Sequence, residues 1–182
     1  MAPMTQIEVV AGDIADVVSH QAEAYVVAAN NELWMGSGVA GALKRAAGDA
    51  VEREAIAQGP IDVGDAVLTS SGQMTPPTKA LIHAAAMGFT DRTQIYASKE
   101  TVSAATRRSL ELCDEHGLIS VVFPALGTGI GALEQEDCAD AMCLTIASYL
   151  AAQTGITRIR FVVTTAQRAA IFQAQIDAHG LS

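Results

Sequence analysis

Aromatic residues are scarce in this 182-residue chain, in which Phe, Trp and Tyr make up only 4%. Hydrophobic residues nonetheless reach 50%, so the interior must be packed from aliphatic side chains and alanine. Cysteine is also scarce, and the three cysteines (Cys113, Cys138 and Cys143) cannot all pair with one another. Because Cys138 and Cys143 lie in a helix-like apolar pattern, we expect reduced thiols in the core rather than disulfides.

Basic residues are outnumbered, with 11 Lys and Arg against 20 Asp and Glu, and the formal net charge is -9. This imbalance argues against binding nucleic acid through a broad basic surface. The N-terminus lacks the basic and apolar regions of a signal peptide, and no apolar run approaches the length of a membrane span. The four histidines have no acidic or cysteine neighbours at ligand spacing. We therefore expect a soluble, cytoplasmic protein with no nucleic-acid or membrane partner, no metal and no cofactor.

Short apolar runs alternate with helix-period segments, which predicts an α/β fold, and the length fits a single domain over residues 1–182. Strands are predicted at Ile7–Val10, Ala24–Ala29, Ala66–Ser71, Lys79–Ala85, Ile119–Pro124 and Arg158–Thr164. Helices are predicted at Gly38–Ala47, Asp49–Gln58, Ala97–His116, Gln135–Ala152 and Ala166–Ala178. Helices separate the last strands, whereas the third and fourth strands could form a hairpin. The pattern thus predicts a three-layer α/β/α fold with a mixed, mostly parallel sheet of about six strands.

Two glycine-rich turns, Asn30–Ala40 and Pro124–Ala132, each follow a strand-like run and lead into a helix-like pattern. Backbone amides in such turns can hold a phosphate without lysine or arginine, and neither turn has a Walker lysine. The three alternating glycines of the second turn suggest close approach of its backbone to another group, and Thr128 between them can donate its hydroxyl to a phosphate oxygen. Taken alone, each turn also fits a simple connection between a strand and a helix.

The first turn contains Gly36–Gly41, which spells the G-x-G-x-x-G fingerprint of dinucleotide-binding folds. That fingerprint expects its glycines directly after the strand, but here five residues intervene after Asn30, and no ribose-binding acid follows at the expected distance. A nicotinamide-dependent oxidoreductase is therefore only a distant alternative.

Four blocks of sequence are informative together: Gly12–Ile14, Ala28–Ala40, Ile82–Ala85 and Pro124–Gly131. In this order they resemble the macro domain family, whose members bind ADP-ribose. The second resembles the family's N-A-A-N-x-x-L-x-x-G-G-G-V-A segment and the last its P-A-L-G-T-G-x-G loop. The resemblance runs from about Ile7 to Phe172, nearly the whole chain, and implies a macro-domain-like fold.

The resemblance also implies a role for each matching residue. Taken alone, Asp13 fits a turn or N-cap residue. By the resemblance, its carboxylate would accept a hydrogen bond from the adenine amine, and Ile14 would donate one from its backbone amide, in the turn that begins at Gly12. Asn30 would bond the distal ribose and is the one candidate catalytic residue. The diphosphate would lie between two rows of residues, which are Gly36, Ser37, Gly38 and Val39 on one side and Gly127, Thr128, Gly129, Ile130 and Gly131 on the other. The implied partner is ADP-ribose, either free, O-acetylated or linked to a protein.

The chain departs from the family pattern where the family has particular polar or aromatic residues. The substitutes are Val27 for the first Asn, Ala40 for the Asp of hydrolytic relatives, Gly131 for an aromatic, and Thr164 and Thr165 for the aromatic that stacks on adenine. The first two changes remove polar groups that could orient water, so we expect a binding module. The alternative is an ADP-ribosyl hydrolase or O-acetyl-ADP-ribose deacetylase in which Asn30 and substrate-assisted water suffice. The other changes predict a less enclosed ribose and weak adenine stacking, and Trp34 either borders the cleft or packs under its loop.

Overall fold

The computed structural model describes residues 4–182, in which a seven-stranded sheet lies between two layers of helices. The strands are β1 (Gln6–Ala11), β2 (Ala24–Asn30), β3 (Ala66–Ser70), β4 (Ala80–Thr90), β5 (Thr93–Ile95), β6 (Ser120–Phe123) and β7 (Arg158–Val163). The helices are α1 (Val17–His20), α2 (Gly38–Ala47), α3 (Ala50–Ile56), α4 (Lys99–Glu115), α5 (Gln135–Leu150) and α6 (Ala166–Ala178).

The strand order is β1-β7-β6-β2-β4-β3, and the neighbours from β1 to β4 are all parallel. β3 pairs antiparallel with β4, with Ala66 opposite Ala84, so the expected hairpin of the third and fourth strands is confirmed. β5 pairs antiparallel with the far end of β4. Because five strands run in the same direction, their carboxyl ends lie along one edge of the sheet, where ligands bind in open α/β folds.

Side chains alternate between the two faces of the sheet, as the pleat requires. On β2, Val26 packs in the cluster that includes α4, α5 and α6, whereas Tyr25 and Val27 pack in the cluster that includes α2 and α3. All three cysteines are free and buried, which confirms the expectation of reduced core thiols. Aliphatic residues and alanine make up most of both clusters.

The structure confirms the predicted α/β/α layering and all six predicted strands, with differences at the ends of several elements. The fourth strand continues to Thr90 rather than ending at Ala85, and β5 adds a seventh strand. The turn between them consists of Asp91 and Arg92 at φ values of 49° and 65°. Such turns usually carry glycine or asparagine, so this hairpin has no recognisable sequence signature.

Among the helices, α2 and α6 have the predicted bounds, and α1 is too short to have been predicted. The helix predicted at Ala97–His116 instead begins at Lys99, because Ser98 caps it and forms a capping box with Thr101. Gly117, the expected C-terminal residue, has a φ of 66°, which satisfies the left-handed position that ends such a helix. The helices predicted at Asp49–Gln58 and Gln135–Ala152 end earlier, at Ile56 and Leu150.

Candidate functional site

Every residue proposed for the site from sequence lines a single cleft of about 670 Å³ at the carboxyl edge of the sheet. These residues are Gly12, Asp13, Ile14, Asn30, Gly36, Ser37, Gly38, Val39, Gly127, Thr128, Gly129, Ile130 and Gly131. They follow the carboxyl ends of β1, β6 and β2, which lie in that order across the sheet, with β7 between β1 and β6. Three strand spacings separate β1 from β2, so the Asp13 end and the Asn30 end of the cleft are about 14 Å apart.

Asp13 sits in a turn that leaves its polar groups partly free. Its Oδ1 accepts from the amide of Ala15 at 2.9 Å, and its carbonyl oxygen lies 2.7 Å from Nε2 of His20. His20 is buried, and its Nδ1 accepts from Arg160 at 3.2 Å, which assigns the ring proton to Nε2. Within residues 4–182, the second carboxylate oxygen of Asp13 and the amide of Ile14 have no partner. An acceptor and a donor are therefore available side by side at this end.

The first glycine turn ends at Ser37, the N-cap residue of α2, whose side chain makes no capping hydrogen bond to any described residue. The amides of the first turn of a helix have no acceptor within the helix, and Ser37 does not supply one here. Gly38 has a φ of 61°, and a Cβ built there would meet no described atom within 4 Å. The turn therefore presents unpaired amides to the cleft without any lysine or arginine.

Glu52 on α3 anchors this turn from behind. Its carboxylate accepts from the amide of Met35 and pairs with Lys44 of α2 at 2.9 Å. Burial raises the pKa of Glu52, but the hydrogen bonds from Lys44 and Met35 outweigh burial, and the net pKa lies below its ordinary value. The carboxylate is thus ionised at neutral pH and ties the turn to two helices.

The three glycines of the second turn serve different purposes. A Cβ on Gly127 would lie 2.5 Å from the Cβ of Ala97, and one on Gly131 would lie 2.7 Å from the carbonyl oxygen of Gly127. Packing within the protein therefore requires both of these glycines. A Cβ on Gly129, in contrast, would meet no atom of residues 4–182 within 4 Å. Packing does not explain why residue 129 is a glycine. The space in front of its backbone is open to the cleft.

Two further contacts fix the shape of the second turn. The carbonyl oxygen of Ile130 accepts from Nε2 of Gln94 at 2.7 Å, which ties the tip of the turn to β5. The hydroxyl of Thr128, which the sequence suggested as a phosphate donor, instead donates to the carbonyl oxygen of Ala125 at 2.9 Å. Among the described residues, the amides of Thr128, Gly129 and Ile130 have no acceptor. The donors that this turn offers are backbone amides rather than a hydroxyl.

Asn30 ends β2 and is only 7% exposed. Its Oδ1 accepts from the amides of Glu32 and Leu33, both at 2.9 Å, and its Nδ2 donates to the carbonyl oxygen of Trp34 at 3.2 Å. An amide oxygen has two lone pairs, so Oδ1 is fully used. One N–H of Nδ2 remains for a ligand. Asn30 can thus donate a hydrogen bond, but its Oδ1 has no lone pair left with which to take a proton from water.

An aromatic pair lines the cleft near Asn30. Trp34 is 40% exposed and stacks on Phe89 of β4, with ring centroids 6.1 Å apart and planes 18° from parallel. The side chain of Asn31 holds Phe89, accepting from its amide at 2.8 Å and donating to its carbonyl oxygen at 3.1 Å. Gly88 leaves room for this clasp, because a Cβ there would lie 2.2 Å from Oδ1 of Asn31. Trp34 therefore borders the cleft, which decides between the two positions left open by the sequence.

Sequence reasoning missed Phe89, Gln135 and Arg168, which also line the cleft. Phe89 lies beyond the predicted end of its strand, and no motif points to a residue in the first turn of α6.

The structure explains two of the positions at which the sequence departs from the family pattern, Val27 and Gly131. Val27 is fully buried in the core and does not line the cleft, so the interpretation that it changes polarity around the ribose is wrong. Gly131 has no space for an aromatic side chain, because Gly127 and Ala97 fill it.

His83, considered from sequence as a core histidine, is fully buried on β4, and its Nε2 lies 2.9 Å from the hydroxyl of Thr69. Burial lowers the pKa of His83 to about 4, so the ring is neutral at physiological pH. It is outside the cleft, whose titratable lining residues are Asp13 and Arg168. Across residues 4–182, no three His, Cys, Asp or Glu side chains cluster in a way that would hold a metal ion.

None of the helices within the described part of the chain is both long enough and apolar enough to cross a membrane.

Comparison with known proteins gives the same family as the sequence resemblance. The sequence model of the Macro domain family matches residues 26–142. A protein of Aquifex aeolicus is 41% identical over 136 residues, covering 75% of this chain and 78% of its own. The O-acetyl-ADP-ribose deacetylase of Klebsiella pneumoniae is 31% identical over 178 residues, covering 96% and 98% of the two chains. The Oceanobacillus iheyensis macrodomain with ADP superposes with a TM-score of 0.80 at 25% identity, over 94% of this chain and 90% of its own. The fold, the cleft and these matches establish that the chain belongs to the Macro domain family.

Proposed function

We propose that this chain binds ADP-ribose in the cleft, and that residues 1–182 act as one domain in doing so. The main support is the pair of glycine turns, whose unpaired amides line the same cleft at the ends of neighbouring strands β2 and β6. Because the chain has a net charge of -9, a doubly charged diphosphate needs such directed donors rather than a general basic field. The open space above Gly129 gives the diphosphate room to approach the backbone.

The two ends of the cleft supply different chemistry, which gives the ligand its direction. The adenine lies at the Asp13 end, where the free carboxylate oxygen accepts from the exocyclic amine and the amide of Ile14 donates to a ring nitrogen. The distal ribose lies at the Asn30 end, where the remaining N–H of Nδ2 donates to a hydroxyl. The indole of Trp34 forms the wall of this end and takes the place of the aromatic that Gly131 excludes.

The relatives support a ligand of this class. The Klebsiella relative carries the name O-acetyl-ADP-ribose deacetylase, and the Oceanobacillus structure contains ADP. We propose free ADP-ribose and its O-acetylated and protein-linked derivatives as partners, within the cytoplasm. Nucleic acid and membranes are not among the proposed partners, because the excess of acidic residues disfavours polyanions.

Hydrolysis of an ADP-ribose derivative is the second candidate, favoured by the name of the relative that matches 96% of this chain. The cleft offers little for it. Ala40 lines the site without a polar group, Oδ1 of Asn30 is saturated, and Asp13 is at the other end. Any turnover must come from a water held by the substrate's own phosphates, positioned by the two turns. We therefore propose binding as the main activity.

Titration calorimetry with ADP-ribose, AMP and NAD tests the proposal. We expect ADP-ribose to bind more tightly than AMP, which lacks the distal phosphate and ribose. We expect the Asp13→Ala variant to lose roughly tenfold in affinity, or about 1.4 kcal/mol, for a lost charged hydrogen bond. An absence of ADP-ribose binding would refute the proposal, and tighter binding of NAD would favour a dinucleotide enzyme.

A second experiment separates binding from hydrolysis. The protein is incubated with O-acetyl-ADP-ribose and with a mono-ADP-ribosylated protein, and turnover that is lost in Asn30→Ala would establish an enzyme.

A further inference from the structure

Arg168 lies in the first turn of α6 and lines the cleft, although no sequence motif includes it. Its backbone amide donates to Oγ1 of Thr165, the N-cap residue of the helix, at 3.2 Å. Its guanidinium turns back, and Nη1 donates to Oγ1 of Thr164 at 2.8 Å. This bond ties the charged group to the carboxyl end of β7 at the rim of the cleft, where the side chain stays exposed to solvent.

Among the described residues, this guanidinium is the single basic side chain of the cleft lining. Within residues 4–182 it forms no ion pair; five other arginines share this property, so the distinguishing feature of Arg168 is its place in the cleft lining. In a chain with nearly twice as many acidic as basic residues, an arginine that lies beside a cleft without an acidic partner in this range is available to a ligand.

The position of Arg168 identifies which part of the ligand it meets. β7 pairs with β1, and Val162, Val163 and Thr164 line the cleft together with Asp13 and Ile14. Arg168 thus belongs to the end of the cleft where the proposed function places the purine. The residue that it bonds, Thr164, stands where the family pattern has an aromatic side chain that stacks on adenine.

We propose that the guanidinium of Arg168 stacks on the face of the adenine ring and replaces that aromatic side chain. A guanidinium is planar, weakly hydrated and able to lie flat on a π-system, which an ammonium cannot do. The bond from Nη1 to Thr164 fixes one edge of the plane, so less side-chain entropy is lost when the purine arrives. Asp13 and Ile14 then bind the edge of the adenine while Arg168 covers its face. This inference rests on the proposed function and assigns to it the stacking group that the sequence lacks.

Three variants of Arg168 measured by calorimetry with ADP-ribose test the assignment. Arg168→Ala loses roughly 3- to 30-fold in affinity, the range of a cation–π contact. Arg168→Lys keeps the charge but loses the planar face, and it binds as poorly as the alanine variant. Arg168→Tyr removes the charge but restores a flat face, and it binds within about threefold of the wild type. In addition, Thr164→Val, which removes the anchor but keeps the shape, shows a smaller loss than Arg168→Ala.

If Arg168→Lys bound ADP-ribose more tightly than Arg168→Tyr, the stacking assignment would be overturned. That result would indicate pairing with a phosphate, for which charge alone suffices. A steep salt dependence that disappears in Arg168→Ala would also indicate such pairing. Wild-type affinity in all three Arg168 variants would refute any role for this residue while leaving the proposed function intact. If the wild-type protein itself fails to bind ADP-ribose, the proposed function fails first, so the two failures are distinguishable.

Discussion

The indole of Trp34 stacks on the ring of Phe89, with the ring planes 18° from parallel and the centroids 6.1 Å apart, and forms an aromatic wall at the Asn30 end of the cleft. Trp34 also covers Gly36 of the first glycine turn, because a Cβ on Gly36 would lie 2.8 Å from Cζ3 of the indole. One side chain thus connects the first turn, the cleft and β4. In the proposed binding mode, Trp34 takes the place of the aromatic side chain for which Gly131 has no room.

Replacement of Trp34 by alanine is expected to weaken binding of ADP-ribose by roughly three- to tenfold, the value of one aromatic contact. Binding of AMP is expected to change little, since AMP has no distal ribose. Calorimetric titration of both ligands checks this difference. Tyr96→Ala is the matched control, because Tyr96 is 62% exposed and does not line the cleft. An equal loss for ADP-ribose and AMP would place Trp34 elsewhere along the ligand.

The glycines of the second turn predict two opposite phenotypes. Gly129→Ala is expected to unfold at the wild-type temperature, since its Cβ meets no described protein atom, but to bind ADP-ribose at least tenfold more weakly, because the methyl occupies the path of the diphosphate. Gly131→Ala is expected to lose about 1–3 kcal/mol of stability through overpacking against Gly127 and Ala97. Thermal unfolding and calorimetry on both variants check the two effects. Wild-type affinity in Gly129→Ala would show that nothing approaches this part of the backbone.

Glu52 is expected to act on binding without touching the ligand. Glu52→Gln keeps an acceptor for the amide of Met35 but loses the ion pair with Lys44, which is partly buried, with side-chain exposures of 21% and 28%. We expect a loss of about 1 kcal/mol in stability and several-fold weaker ADP-ribose binding, because the first turn is less ordered.

Glu23→Gln is the control for this experiment, since Glu23 pairs with Lys79 at 2.8 Å and precedes β2 at the opposite edge of the sheet. It is expected to lower stability without altering affinity, as measured by thermal unfolding and calorimetry. Equal affinity in both variants would mean that the first turn holds its shape without Glu52.

Burial of His83 is expected to make the stability of the protein depend on pH. Burial lowers its pKa from the ordinary 6.5 to about 4, so the unfolded chain binds more protons than the folded one between these values. The contribution of the neutral His83 ring to the free energy of unfolding is fully present above pH 6.5. It is lost as the pH falls towards 4, which lowers the free energy of unfolding by about 3 kcal/mol.

His83→Gln is therefore expected to show a flatter fall in stability between pH 6.5 and 4, measured by urea unfolding at several pH values. The wild-type protein, measured in parallel at each pH, is the reference for this comparison. A curve for His83→Gln that parallels the wild type would show that another group governs stability in this range.

The sequence predicted those parts of the molecule in which local pattern and tertiary packing agree. The alternation along β2 and the apolar face of α5 determine both the element and its burial, so these were predicted with only small differences at their ends. Asp13, Asn30 and the two glycine turns were identified because each follows a strand end and strand ends converge in a parallel sheet. Phe89 and Arg168 carry no such signal. Phe89 depends on a turn of two non-glycine residues at positive φ, and Arg168 enters the cleft only because its side chain folds back onto Thr164.

Glycine content alone also could not separate packing from function in the second turn. Gly127 and Gly131 are required by Ala97 and by the turn's own backbone, which only three-dimensional contacts reveal. Similarly, the sequence suggested the hydroxyl of Thr128 as a donor, but the nearby carbonyl of Ala125 takes its proton. Local competition for hydrogen bonds decides such cases.

A crystal structure of the protein soaked with ADP-ribose would show directly whether the cleft holds this ligand and in which direction. We expect the diphosphate between the amides of Val39 and of Gly129 and Ile130, with the adenine amine on Asp13 and the distal ribose beside Asn30 and Trp34. Density for the diphosphate away from both turns, or a ligand in the reverse direction with adenine against Trp34, would contradict the proposed binding mode.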